Sequence, residues 1–128
     1  MNRFYLDEVN HPERILDDND PRKPKWAEER EKYGFDERET WALDNTFYCW
    51  LYERLRAYQD WSCVSLDFHK FEYKGKEYTQ GQLITEMITR LRWYFENEEK
   101  NWSWTDEDYE FVHEIEQIWA LVLPAMWW

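Results

Sequence analysis

Glu110-Phe111-Val112-His113 carries the Glu-x-x-His spacing with which one helix aims a carboxylate and an imidazole at a single metal, as in carboxylate-bridged di-iron centres. Such a centre takes two copies of the motif and two further inward carboxylates. Glu110–His113 is the copy that falls on a predicted helix, the same spacing at Glu8–His11 lying in a Pro-bounded irregular stretch, and the helical wheel turns His113 away from the apolar stripe of Phe111, Ile115 and Ile118, so no metal is assigned. His11 and His69 stand alone and read as ordinary polar residues. The candidate nucleophiles are Cys49, Cys63, Ser62, Ser65 and Ser103, and no Gly-x-Ser-x-Gly elbow or cysteine motif sets one beside a base. Cys49 is expected on the polar side of its helix beside Tyr52 and Glu53, and Cys63 at the start of a β element; both read as reduced structural thiols. Gly34, Gly75 and Gly81 are the only glycines, too few for a phosphate-cradling loop. The chain therefore reads as a non-enzyme without a cofactor.

Two other residue classes could act through binding. Lys and Arg number 16 against 28 Asp and Glu, and the excess is local. Residues 1–40 net −4, residues 41–95 are balanced, and residues 96–128 net −8 with Lys100 as their one cation. Such a field repels phosphate backbones and anionic membranes and favours basic proteins, so direct nucleic-acid and membrane binding are disfavoured. Glu107, Glu110 and Glu114, spaced three and four apart, form one flank of a helix, with Glu96, Glu98, Glu99, Asp106 and Asp108 around them. That flank can imitate the phosphates a nucleic-acid-binding protein recognises, or it can be a plain solvated face. The second class is aromatic, at 20% of the chain with 10 Trp. Trp93 is expected opposite the buried stripe of its helix, Trp102 and Trp104 in a loop, and Trp127 and Trp128 at the terminus. Tryptophans of this kind either fold back over a small core or anchor a partner.

The elements that would position these residues make an α-dominated α+β domain with three substantial helices, one short helix and a β-hairpin around residues 64–78. Residues 1–24 hold His11-Pro12, Asp17-Asp18-Asn19-Asp20, Pro21 and Pro24, which predict an irregular arm before a single helical domain over 25–128. A short charged helix over Lys25–Tyr33 would stop at Gly34. A second helix is predicted from Asp36 to about Asp60, with Leu43, Phe47, Trp50, Leu51 and Tyr58 on its buried stripe. Val64, Leu66 and Phe68 alternate with polar residues, and Lys74-Gly75-Lys76 offers a hairpin turn. Thr79 and Gln82 form a capping box ahead of Leu83, Ile84, Met87, Ile88, Leu91, Tyr94 and Phe95. Thr105 caps a last helix with Phe111, Val112, Ile115, Ile118, Trp119 and Val122 inward, ended by Pro124. The N-terminal residues lack an apolar run of signal-peptide length and no stretch approaches a membrane span, which points to the cytoplasm.

Asp36-Glu37-Arg38-Glu39-Thr40-Trp41-Ala42-Leu43-Asp44, with Phe47, Trp50 and Leu51 behind it, resembles small uncharacterised proteins of bacteriophages and prophages. The resemblance spans residues 33–60 and continues more weakly through the Gly75 turn and the helix after it. It implies a small helical domain of phage or prophage origin, working in a bacterial host, and it supplies no catalytic residues. With the local charge and the tryptophans, the expected function is a protein-binding accessory factor. Its acidic, Trp-bearing surface would engage a host protein, in the sharpest version a basic nucleic-acid-binding defence enzyme that it inhibits. Two alternatives stand beside it. One is a small-ligand or nucleotide sponge stacking on Trp93, Trp102 and Trp104, with Arg54, Arg56, Arg90 or Arg92 as cation; the other is a self-associating structural protein. Oligomeric state is not legible.

Overall fold

A computed structural model describes residues 20–62 and 65–126. The expectations for the arm before Asp20, for Cys63 and Val64, and for Trp127 and Trp128 lie outside them. The chain divides into two compact units, one ending at Leu51 and the other beginning at Tyr52.

The first unit opens with α1 (Lys23–Tyr33), which takes in Lys23 and Pro24 from the expected arm. Pro24 fits the first turn, where no intrahelical bond is lost. Gly34 stops the helix at φ 84°, with its N–H on Arg30 O at 2.9 Å. The helix expected from Asp36 begins later. Asp36 instead caps a short 3-10 turn, Glu37–Thr40, and α2 runs Leu43–Trp61. The buried face of α2 also departs from the expected stripe. Leu43 is 65% exposed, whereas Tyr48, Cys49, Leu51 and Leu55 are buried, so Cys49 lies on the inner face rather than the polar one.

In the second unit the hairpin is β1 (Lys70–Tyr73) and β2 (Lys76–Thr79), antiparallel, with Phe71 opposite Tyr78 and Tyr73 opposite Lys76. Lys74 (φ 52°) and Gly75 (φ 79°) make the two-residue turn, both in the left-handed conformation that matches the twist of the strands. The hairpin is shorter than expected at its start. Leu66 lies in a turn and Phe68 in a bend ahead of β1, and Phe68 is largely exposed.

Thr79 closes a complete capping box with Gln82 and starts α3 (Gln80–Asn97). A 3-10 turn, Glu98–Ser103, leads to Thr105, which with Asp108 forms a second capping box for α4 (Asp106–Val122). A last 3-10 turn at Leu123–Ala125 contains Pro124. α3 packs on α4, β2 on α3 and β1 on α4. Leu83, Ile84, Met87 and Leu91 from α3 and Ile115, Ile118 and Val122 from α4 are essentially inaccessible, each stabilising the unit by about 1.5–3 kcal/mol relative to exposure. Among the described residues, then, four α-helices and one hairpin form a mainly α architecture, and no helix is long and apolar enough to cross a membrane.

Candidate functional site

The corner between α3 and α4 gathers most of the acidic and aromatic residues singled out in the sequence. Asn97 ends α3 and its carboxamide donates to Trp93 O at 2.8 Å. The Trp104 indole N–H donates to Asn97 O at 3.1 Å, and the Tyr109 hydroxyl, one turn into α4, donates to Asn101 O at 3.2 Å. Ser103 Oγ donates to Lys100 O at 2.7 Å. The connecting turn is thereby tied at both ends.

Beneath the turn the rings form a continuous cluster. Trp104 lies 5.3 Å from Trp93, 6.1 Å from Tyr94 and 5.0 Å from Tyr109, and Trp93 meets Phe111 edge-on at 5.5 Å. Trp93 is thus half-buried inside the cluster and not displayed on the outer side of α3, which corrects its expected position. Trp104 folds back over the core, as one of its two readings held. Trp102 does not: it is 84% exposed at the crest of the turn.

The carboxylates separate into two groups. Asp106, Glu107 and Glu99 are exposed, and among the described residues none is in an ion pair. Glu96 is exposed on the last full turn of α3. Asp108 is drawn into the capping box, with Thr105 N–H on Oδ2 at 2.9 Å. Glu110 is exposed, 3.9 Å from Lys74 Nζ. Glu114 departs from the expected solvated flank altogether. It is 8% exposed, with Oε2 at 2.7 Å from Arg90 Nη1 and Oε1 on Lys74 Nζ.

Arg90 is fully committed at that point. Its guanidinium also donates to Phe111 O at 2.9 Å, pairs with Glu86 at 2.9 Å, and lies 4.3 Å over the Phe111 ring. The hydrogen bond to Glu114 holds the Lys74 ammonium above its ordinary range. The neighbouring Tyr73 hydroxyl donates to Gln117 Oε1 at 2.9 Å, and burial together with the Glu114 charge pushes the phenol up. The turn residue Lys74 and the end of β1 at Tyr73 are therefore pinned to α4 by residues 40 and 44 positions apart. Short-range spacing carries no sign of such ties.

The remaining candidates are dispersed. His113 is exposed and sits 3.4 Å from Glu116, while Glu110 pairs with Lys74, so the Glu-x-x-His motif forms no shared site. Of the cations proposed for a stacking pocket, Arg90 is engaged as described, Arg92 is hydrogen-bonded to Tyr52, and Arg56 lies over the Tyr52 ring at 5.4 Å. An open groove of about 530 Å³ runs along Gln59, Asp67, Tyr78, Gln82, Thr85 and Glu86; neither an indole nor a cation lines it.

The first unit holds a constellation that the sequence did not reveal. The Asp36 side chain is fully enclosed, accepting from Arg30 Nε at 2.7 Å and Arg38 Nη2 at 2.8 Å. Arg22 and Arg38 both lie over the Trp26 ring, at 4.9 and 4.6 Å from its centroid, with Trp41 edge-on at 5.8 Å. Asp36 two residues before Arg38 was the available signal, a short acid that can fold back on the next turn. These groups engage one another closely, and their arrangement is that of a structural clasp. No family model matches the chain, and comparisons with curated proteins and with solved structures give no match either.

Proposed function

We propose that the chain is a binding protein without catalytic activity, and that it engages a basic protein partner through the α3–α4 corner. One observation carries this reading: a fully presented indole, Trp102, stands on a turn tied at both ends beside carboxylates that have no cation partner among the described residues. A large ring kept in water on a fixed turn costs little further ordering when a partner covers it, which is how interface anchors behave. Carboxylates around such an anchor set partner choice and speed the encounter. Glu114 belongs to the scaffold of this surface and not to its contact face.

The resemblance over residues 33–60 supplies the setting of the proposal, a phage or prophage protein acting on a host protein. The sharpest form of the partner is a nucleic-acid-binding defence enzyme whose basic groove the corner would occupy. Tagged protein is incubated with bacterial lysate at low and high salt, and bound proteins are identified by mass spectrometry. A basic partner captured at low salt, released by salt, and lost with Trp102→Ala or with Asp106→Asn/Glu107→Gln/Glu110→Gln is the expected result. Capture that ignores both variants would remove the corner as the interface.

A further inference from the structure

We infer that the corner recognises an arginine-bearing segment of its partner, with one guanidinium lying on the Trp102 indole and its N–H edge turned to the carboxylates of Glu99, Asp106 and Glu107. This rests on the reading of the corner as a protein-binding surface and names the chemistry of what binds there.

The chain itself shows how such a group is accommodated. On the same two helices Arg90 lies 4.3 Å over the Phe111 ring while its nitrogens meet Glu86 and Glu114 at 2.9 and 2.7 Å. In the first unit Arg38 lies 4.6 Å over Trp26 while it holds Asp36 at 2.8 Å. Each is a set of ring, guanidinium and carboxylate, complete within the chain. At the corner Trp102 shares the Glu98–Ser103 turn with Glu99, and Asp106 and Glu107 open α4 just after it; among the described residues no cation stacks on Trp102 or pairs with Glu99, Asp106 or Glu107. Lys100, the one cation of residues 96–128, makes neither contact.

Charge decides the class of occupant and shape decides the residue. The exposed carboxylates of Glu99, Asp106 and Glu107 repel nucleic acid and anionic lipid and attract a basic segment. Lysine would satisfy the charge, but only the planar guanidinium can stack on an indole while its edge donates to carboxylates. The four ties hold the backbone of the turn that carries Trp102, so little backbone order is lost on contact.

Fluorescence anisotropy of the full-length protein with labelled Arg-Ser and Lys-Ser repeat peptides of equal length and charge tests this. The arginine peptide should bind about three- to fivefold more tightly. Trp102→Leu, which keeps an apolar side chain but removes the ring, should bring the two peptides to equal affinity, and Glu99→Gln/Asp106→Asn/Glu107→Gln should weaken both alike. Thermal melting confirms that each variant is folded. Equal binding of the two peptides by the unsubstituted protein, or an arginine preference that survives Trp102→Leu, would overturn the assignment. If that happens while a lysate partner is still captured and released by salt, the corner stays an interface and only its arginine chemistry falls; loss of both peptide binding and capture removes the two together.

Discussion

Arg90 on α3 and Glu114 on α4 meet at 2.7 Å with side chains only 12% and 10% exposed, so two full charges bridge the main helix pair of the second unit. Glu86, Lys74 and the Phe111 carbonyl complete the network. Buried pairs of this kind register elements more than they stabilise them, because desolvation offsets much of the attraction.

Removing one partner should therefore hurt more than removing both. Arg90→Met leaves Glu114 enclosed with Lys74 alone and is expected to destabilise the protein by about 3 kcal/mol, whereas Arg90→Met/Glu114→Met should cost less than the single change. Urea denaturation of the two variants and the parent measures this; a double variant weaker than Arg90→Met would contradict the assignment.

Asp36 gives the first unit a dependence on pH. Burial alone would raise its carboxyl, but the hydrogen bonds from Arg38 and Arg30 outweigh it and hold the group below the usual carboxylate range. A depressed folded value means that the unfolded chain takes up the proton first. The stabilisation is thus whole above about pH 4 and drains away as pH falls through the folded value. Asp36→Asn should lower the melting temperature at neutral pH, and the gap from the parent should narrow on acidification. A gap constant from pH 7 to about pH 2.5 would show that the charge on Asp36 carries none of it.

Trp102 and Trp104, two residues apart, should respond oppositely to truncation. Trp104→Ala removes a ring packed on three others together with its hydrogen bond to Asn97 and should cost about 2–3 kcal/mol. Trp102→Ala should change stability by less than about 0.5 kcal/mol. Chemical denaturation of the pair separates them, and a large loss from Trp102→Ala would mean that the ring serves the fold.

At the hairpin turn, Gly75→Ala forces a side chain into φ 79° and is expected to cost about 1 kcal/mol, although a Cβ there would meet nothing within 4 Å. Equal stability of the variant and the parent by denaturant titration would show that the turn relaxes to another type.

What the sequence disclosed was local. Thr79 with Gln82, Thr105, Gly34 and Gly75 each act within four residues, and all four sit where their chemistry placed them. The α3 and α4 stripes were legible because polar residues flank them on a regular period. α2 was harder: rings occur around much of its circumference, so Leu43 and Phe47 suggested one face while Tyr48, Cys49 and Leu55 occupy another. Asp36 misled as a helix start because its carboxylate closes a 3-10 turn. At the corner the sequence located the acids and tryptophans but not their division. Glu114 is neutralised from 24 and 40 positions upstream, and Trp93 is covered by Trp104, relations that only the packed helices create.

The Trp93–Trp104 contact also has an optical meaning. Two indoles 5.3 Å apart and inclined at 47° couple their electronic transitions, so the pair should give a circular dichroism couplet that vanishes when the corner opens. Trp102, standing in water, belongs to a separate red-emitting population. With the other exposed indoles of the described residues, Trp41 and Trp61, replaced by Phe, the corner carries two intrinsic probes a few residues apart, one reporting that it is assembled and the other that something has covered it.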